Sequence, residues 1–154
     1  VCLAARDNPY MVFLEVCQGN PTFQMRLEVG ARVPYGMTAL GRAYHCGLSP
    51  EAREAMLEEH RKMGRKEDWE GFRASFDKAV RDYQKYGFCV SLGERNKDVC
   101  SVAVPLISRD HSKLLALTCA GPPIEMPRGR IFEELGPRLI QLRDRLFAAT
   151  GGSF

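Results

Sequence analysis

Val99-Cys100-Ser101-Val102-Ala103-Val104-Pro105-Leu106-Ile107-Ser108-Arg109-Asp110-His111-Ser112-Lys113-Leu114-Leu115-Ala116-Leu117-Thr118-Cys119-Ala120-Gly121 reads as two strands joined by a polar turn. Phe88–Gly93, just upstream, reads as a third. Side chains alternate across a strand, so each of the three has two faces. One face carries Phe88, Val90, Leu92, then Cys100, Val102, Val104, then Leu115, Leu117 and Cys119. It is bulky and apolar and suits packing against helices. The other carries Cys89 and Ser91, then Ser101 and Ala103, then Ala116, Thr118 and Ala120. It is small, with three hydroxyls and a thiol. Protein interiors do not normally leave volume empty, and an unpaired buried hydroxyl costs about 1–3 kcal/mol. Two readings follow. Either a helix lies close over this face and each hydroxyl bonds back to backbone, or the face lines a pocket whose ligand supplies both volume and partners.

A second stretch meets this face: Gly30-Ala31-Arg32-Val33-Pro34-Tyr35-Gly36-Met37-Thr38-Ala39-Leu40-Gly41-Arg42-Ala43. Gly30, Pro34 and Gly36 mark a turn, and Thr38 stands as the N-cap of a short helix that runs to about Cys46 and is closed by Gly47. Small residues at 39, 41 and 43 let this helix approach another surface closely. The first amides of a helix lack intrahelical partners and the dipole makes that end positive, so it can hold a carboxylate. A helix start that packs on the core and binds nothing is the plainer alternative.

Around these stretches, residues 1–6 and 10–17 read as strands joined by Asp7-Asn8-Pro9. Tyr10–Cys17 is apolar nearly throughout, which predicts a strand covered on both faces. Thr22–Val29 reads as a third strand with Phe23, Met25, Leu27 and Val29 on one side, so Met25 is expected to face inward. Ser49-Pro50 caps a helix reaching about Met63, with Gly64 as its stop. Lys66–Tyr86 carries Trp69, Phe72, Phe76, Ala79, Val80 and Tyr83 at helical spacing, and Gly87 ends it. A last helix over about Arg128–Thr150 has Ile131, Leu135, Leu139, Leu142 and Leu146 as its stripe, and Pro137 predicts a kink or broken turn.

The totals exclude several classes. With 154 residues the chain suits one domain and needs no staples. Its net charge of +3 is mild and its basic residues are interleaved with acidic ones, which argues against a nucleic-acid surface. No apolar run is long enough to span a bilayer. The opening Val1-Cys2-Leu3-Ala4-Ala5 reads as strand interior, so a fragment of a longer protein is expected. The six cysteines form no C-x-x-C pair and are expected as buried small hydrophobes in a reducing cytoplasm, with no metal site. No phosphate loop, H-E-x-x-H, G-x-S-x-G or G-x-G-x-x-G motif occurs. His45, His60 and His111 are scattered and read as solvated. Glu94 stands beside the polar loop Arg95–Asp98 with no partner nucleophile, and a carboxylate bonded to loop amides is expected.

Four motifs occur in order: Gly30–Ala43, with its P-x-x-x-T-A-L-G-R-A core; Tyr86-Gly87-Phe88 followed by Gly93-Glu94; Val102-Ala103-Val104-Pro105; and Ala120-Gly121-Pro122. The chain thereby resembles, over nearly its whole length, the C-terminal effector-binding domain of isocitrate-lyase-regulator (IclR) type bacterial transcription regulators. The resemblance implies an α+β, GAF-like fold: a central antiparallel sheet of about six strands flanked by helices, as a single domain over residues 1–154. It implies a cytoplasmic, non-enzymatic sensor of a small carboxylic or aromatic acid, without cofactor, that forms dimers or tetramers. DNA would be read only by an N-terminal winged helix-turn-helix absent from this chain. The implied effector-binding positions are Met25, Val33, Ala39, Leu40, Ser91, Ser101, Thr118 and Ala120, with Thr38 as the cap beside them. Relatives that sense glyoxylate or pyruvate carry an acid at the position of Ser91, a cysteine at Ser101 and a serine at Ala120. The present residues lean instead toward a larger, partly apolar or aromatic acid with its carboxylate on the Ala39 and Leu40 amides. Two alternatives stand beside this: a thiol enzyme reducing methionine sulfoxide through Cys89, Cys100 and Cys119, and an assembly domain with a vestigial pocket.

Overall fold

The computed structural model describes residues 1–19, 27–63 and 69–154. Six strands form one antiparallel sheet: β1 (Cys2–Asp7), β2 (Tyr10–Val16), β3 (Arg32–Pro34), β4 (Cys89–Leu92), β5 (Cys100–Ile107) and β6 (Leu114–Gly121). Their order is β3-β2-β1-β6-β5-β4. The β1–β2 hairpin joins the later meander where Cys2 pairs with Thr118 and Ala4 with Ala116. The β4–β5–β6 register sets Ser91 beside Ser101 and Ser101 beside Ala120, so the small side chains form one continuous face.

On that face lie α1 (Ala39–Gly47), α2 (Pro50–Met63) and α3 (Trp69–Tyr86). Cys2, Ala4, Cys89, Ala103 and Ala116 pack there against Ala39, Leu40, Ala43, Leu57 and Phe76. The expected α3 stripe, from Trp69 to Tyr83, faces this core. The opposite face is covered by α4 (Arg128–Arg130), a π-turn over Ile131–Leu135, and α5 (Gly136–Ala149). Val102, Val104 and Leu117 meet Ile131 and Leu139 in that second core, while Leu92 at its strand end stays exposed. Pro137 has no N–H to give a helical bond. Ahead of it the helix widens, and Gly136 N–H bonds to Ile131 O, five residues back.

Because Gly41 has no side chain, the first turn of α1 can lie directly against the Tyr35 backbone that leads into it. A Cβ there would stand 1.9 Å from the carbonyl oxygen of Tyr35. The caps follow the residue types. Thr38 Oγ1 accepts from Gly41 N–H, Ser49 Oγ accepts from Ala52 N–H, and Gly87 closes α3 at φ +79°.

Two expectations are corrected. β2 is covered on one face: Met11 and Phe13 are buried, but Tyr10 and Leu14 are exposed. The strand expected over Thr22–Val29 does not include Leu27–Val29, which lead into a turn at Gly30, and its remainder lies outside the described residues. The edge strand is instead Arg32–Pro34, which pairs Val33 with Met11. Gly64 and the expected helix start at Lys66 also fall outside the described residues.

Candidate functional site

A cavity of about 250 Å³ lies between the small face of the sheet and the amino end of α1. Its floor is the row Ser91, Ser101 and Ala120 across β4, β5 and β6, with Thr118 in the next row, paired with Ala103. Thr38 and Leu40 come from the start of α1, Val33 from β3 and Phe13 from β2. Met37, Leu27, Val99, Arg95 and Asn96 complete the wall. Most of this surface is hydrocarbon. Arg95, exposed on the β4–β5 loop, is the one charged side chain among the described lining residues.

The hydroxyls differ in what they have left to offer. Thr118 is buried and donates to Val102 O at 3.0 Å. Ser91 is buried and donates to Glu94 Oε2 at 2.6 Å. Each has spent its proton, so toward the cavity each presents lone pairs. At the helix end, Thr38 Oγ1 occupies the amide of Gly41 at 3.1 Å, and Arg42 N–H bonds to Thr38 O. The amides of Ala39 and Leu40 have no intrahelical acceptor, as at any helix start.

Glu94 is tied by side chains and not by the loop amides that the sequence suggested. Its Oε2 accepts from Ser91 and, at 3.0 Å, from Arg42 Nη1. Arg42 also donates to Val90 O at 2.8 Å. Its Nε is buried without a partner among the described residues. Arg42 thus pins α1 to β4 and to the loop that carries Arg95.

Behind α1 lies a polar group that sequence reading missed. His45 was expected in solvent and is only 2% exposed. Its Nδ1 lies 3.1 Å from Tyr35 Oη. Burial, and secondarily the nearby Arg53 guanidinium, lower its pKa to about 4. Burial likewise holds the Tyr35 phenol well above its ordinary value. His60 is half-buried and stacked on Phe72 at 4.1 Å, which leaves only His111 in solvent as expected.

Of the eight expected positions, Val33, Leu40, Ser91, Ser101, Thr118 and Ala120 line one cavity, together with Thr38. Ala39 is fully buried in the core, and its side chain is not on the wall. Met25 lies outside the described residues. Phe13, Leu27, Met37, Arg95, Asn96 and Val99 were not anticipated as site residues. Phe13 lies on a strand expected to be covered on both faces, so its side was not singled out, and the loop residues carry no periodic signal. Cys100 packs with the second core and Cys119 against it, on the far face from Cys89, so the three expected thiols do not converge. The thiol nearest to Cys89 is that of Cys46, at 3.6 Å. Nor are all six cysteines buried, since Cys17 is exposed. Among the described residues no group of acids, histidines and cysteines could hold a metal ion, and no helix is long and apolar enough to cross a membrane.

Comparison with known proteins gives the family. The model for the bacterial transcriptional regulator IclR C-terminal family matches residues 1–144. The HTH-type transcriptional regulator TsaQ1/TsaQ2 of Comamonas testosteroni is 30% identical over 145 residues, 92% of this chain and 51% of that protein. The chain therefore spans about half the length of that curated relative. An IclR family transcriptional regulator from Brucella abortus superposes with a TM-score of 0.89 at 36% identity, over 96% of this chain and 55% of that one. The PobR inducer-binding domain from Acinetobacter, a double mutant in complex with 3-hydroxybenzoic acid, has the same fold. It superposes with a TM-score of 0.72 at 17% identity, over 94% of this chain and 85% of that one. The motif order, the six-stranded sheet with helices on both faces and these matches agree: the chain belongs to the IclR-type bacterial transcriptional regulators and carries their C-terminal domain.

Proposed function

We propose that this domain senses a monocyclic aromatic acid that bears a hydroxyl group, bound in the cavity beneath α1. One observation carries the reading: an apolar cavity of about 250 Å³ has lone pairs on its floor and positive potential elsewhere on its wall. That volume falls just below the usual range of small-molecule pockets, roughly 300–1,000 Å³. It suits one ring better than two. The carboxylate is held by the unpaired amides of Ala39 and Leu40 at the helix start, with Arg95 as counter-charge. The ring hydroxyl donates to Thr118 or Ser91, and Phe13, Leu27, Val33 and Leu40 enclose the ring. That the PobR domain, of the same fold, takes up 3-hydroxybenzoic acid supports the choice of class.

The domain acts in the cytoplasm as part of a longer regulator, self-associating as a dimer or tetramer. DNA is contacted by a separate helix-turn-helix domain. Acid binding switches it only by favouring one arrangement of the oligomer over another. The role is sensing and not catalysis, and no cofactor is needed.

Titration calorimetry with benzoate, hydroxybenzoates, pyruvate and glyoxylate tests the reading. Hydroxybenzoates are expected to bind tightest. Ser101→Leu is expected to abolish binding while circular dichroism shows an intact fold. Unchanged affinity in Ser101→Leu, or binding of the short oxoacids alone, overturns it.

A further inference from the structure

We infer that Cys46 and Cys89 are a modification site: a small hydroperoxide, entering the polar cavity between α1, α3 and β4, oxidises them to a disulfide. The two sulfurs lie 3.6 Å apart, in van der Waals contact, although their residues are 43 positions apart in sequence. Both are free thiols here, Cys46 in the last turn of α1 and Cys89 at the start of β4. A disulfide bond is about 2.05 Å long, so closing it needs a movement of about 1.5 Å shared by a helix end and a strand end.

Both thiols are buried, Cys89 1% and Cys46 5% exposed, so an oxidant must reach them through a cavity. Cys89 forms part of the wall of a second cavity, about 300 Å³ in volume, with Arg42, Lys78, Asp82 and Tyr86 among its lining. A peroxide molecule fits there and finds polar partners. Arg53 clamps the end of α1 through its bonds to His45 O at 3.1 Å and Cys46 O at 2.7 Å. The hydrogen bond from Cys89, with help from the Arg53 charge, lowers the Cys46 pKa. The same bond and burial push the Cys89 thiol well up. Of the two thiols, Cys46 is thus the readier to lose its proton and Cys89 the readier to keep it.

The chemistry balances. The Cys89 sulfur attacks one peroxide oxygen while its thiol proton passes to the other. The O–O bond breaks and water leaves, giving a sulfenic acid on Cys89. The Cys46 sulfur then displaces the sulfenic oxygen, which departs with the Cys46 proton as water. The two sulfurs each lose one electron, and the two peroxide oxygens each gain one. Cys100 and Cys119 belong to the far side of the sheet from Cys89, and Cys17, which is exposed and open to peroxide, is controlled for by the Cys17→Ser variant below. The inference does not depend on which acid, if any, occupies the first cavity.

The test treats the native domain with a few equivalents of hydrogen peroxide, then denatures it and alkylates the remaining thiols. The expected result is a fall from six alkylatable cysteines to four, with a Cys46–Cys89 linked peptide by mass spectrometry and recovery on adding dithiothreitol. Cys46→Ser and Cys89→Ser each remove the linked peptide, and Cys17→Ser keeps it. Wild-type mapping alone decides the matter if a variant fails to fold. Retention of both thiols under peroxide, linkage of other cysteines, or linkage only in denaturant overturns the inference.

Discussion

Ser91 Oγ donates to Glu94 Oε2 across 2.6 Å, and that same oxygen takes a second bond from Arg42 Nη1 at 3.0 Å. A residue on the cavity floor is thereby connected to the helix above it through one carboxylate oxygen. The Glu94 side chain is 45% exposed and that of Arg42 is 13% exposed. Glu94→Gln should therefore cost little, about 0.5–1 kcal/mol, because solvent screens the pair. Arg42→Ala also removes the bond to Val90 O inside the structure and should cost about 1–3 kcal/mol. Urea denaturation of the two variants checks the order.

Thr118→Val is isosteric and removes the lone pairs aimed into the cavity. If the ring hydroxyl is read there, affinity for a hydroxybenzoate falls about tenfold, the loss of one hydrogen bond of about 1.4 kcal/mol, while affinity for benzoate holds. Parallel calorimetric titrations measure the ratio. Equal losses for both ligands would place the hydroxyl elsewhere.

Gly41→Ala is expected to destabilise the fold by about 3 kcal/mol, at the upper end of overpacking costs, because its Cβ meets the Tyr35 carbonyl at 1.9 Å. Gly129→Ala provides the contrast. There the nearest atom is Glu133 Oε1 at 3.9 Å, and Gly129 sits in a helical turn. Alanine should stabilise that site by up to about 1 kcal/mol through helix propensity. Thermal melts of the pair should move in opposite directions.

His45 makes stability depend on pH. Its folded pKa is about 4, whereas an unperturbed histidine titrates near 6.5. Between these values the unfolded chain binds a proton that the folded chain refuses. Stability is therefore full above about pH 6.5 and falls as the pH drops toward 4, with a total loss on the order of 3 kcal/mol. His60, lowered by burial and by Arg6, adds to the loss in the same direction. Denaturation midpoints between pH 7 and pH 4 should show a steep acid limb that His45→Asn flattens and His60→Asn affects less.

The sequence was most legible where one local rule acted alone. Alternation sorted Ser91, Ser101, Thr118 and Ala120 onto one face because β4, β5 and β6 are regular and pair in simple register. The Thr38 cap and the Gly87 stop were equally local. The misreadings arose where distant residues decide. His45 is buried because Tyr35 supplies its Nδ1 with a partner, which no spacing rule reveals. Arg32–Pro34 is a strand only because Met11 lies beside Val33, and its three residues are too few to show a period. Leu14 of β2 is apolar yet exposed, so hydrophobicity alone overstated how much of that strand is covered. Arg95 and Asn96 reach the cavity from a loop whose path depends on the Arg42–Glu94 bridge.

The first cavity draws its wall from Phe13 at one end of the chain to Ala120 near the other. Neither the hairpin half nor the meander half encloses it alone. A molecule lodged there acts as a rivet between the two, and separating the halves would first require its release. Occupancy should therefore slow proteolysis throughout the sheet, far beyond the residues in contact, in proportion to how far free ligand exceeds its dissociation constant.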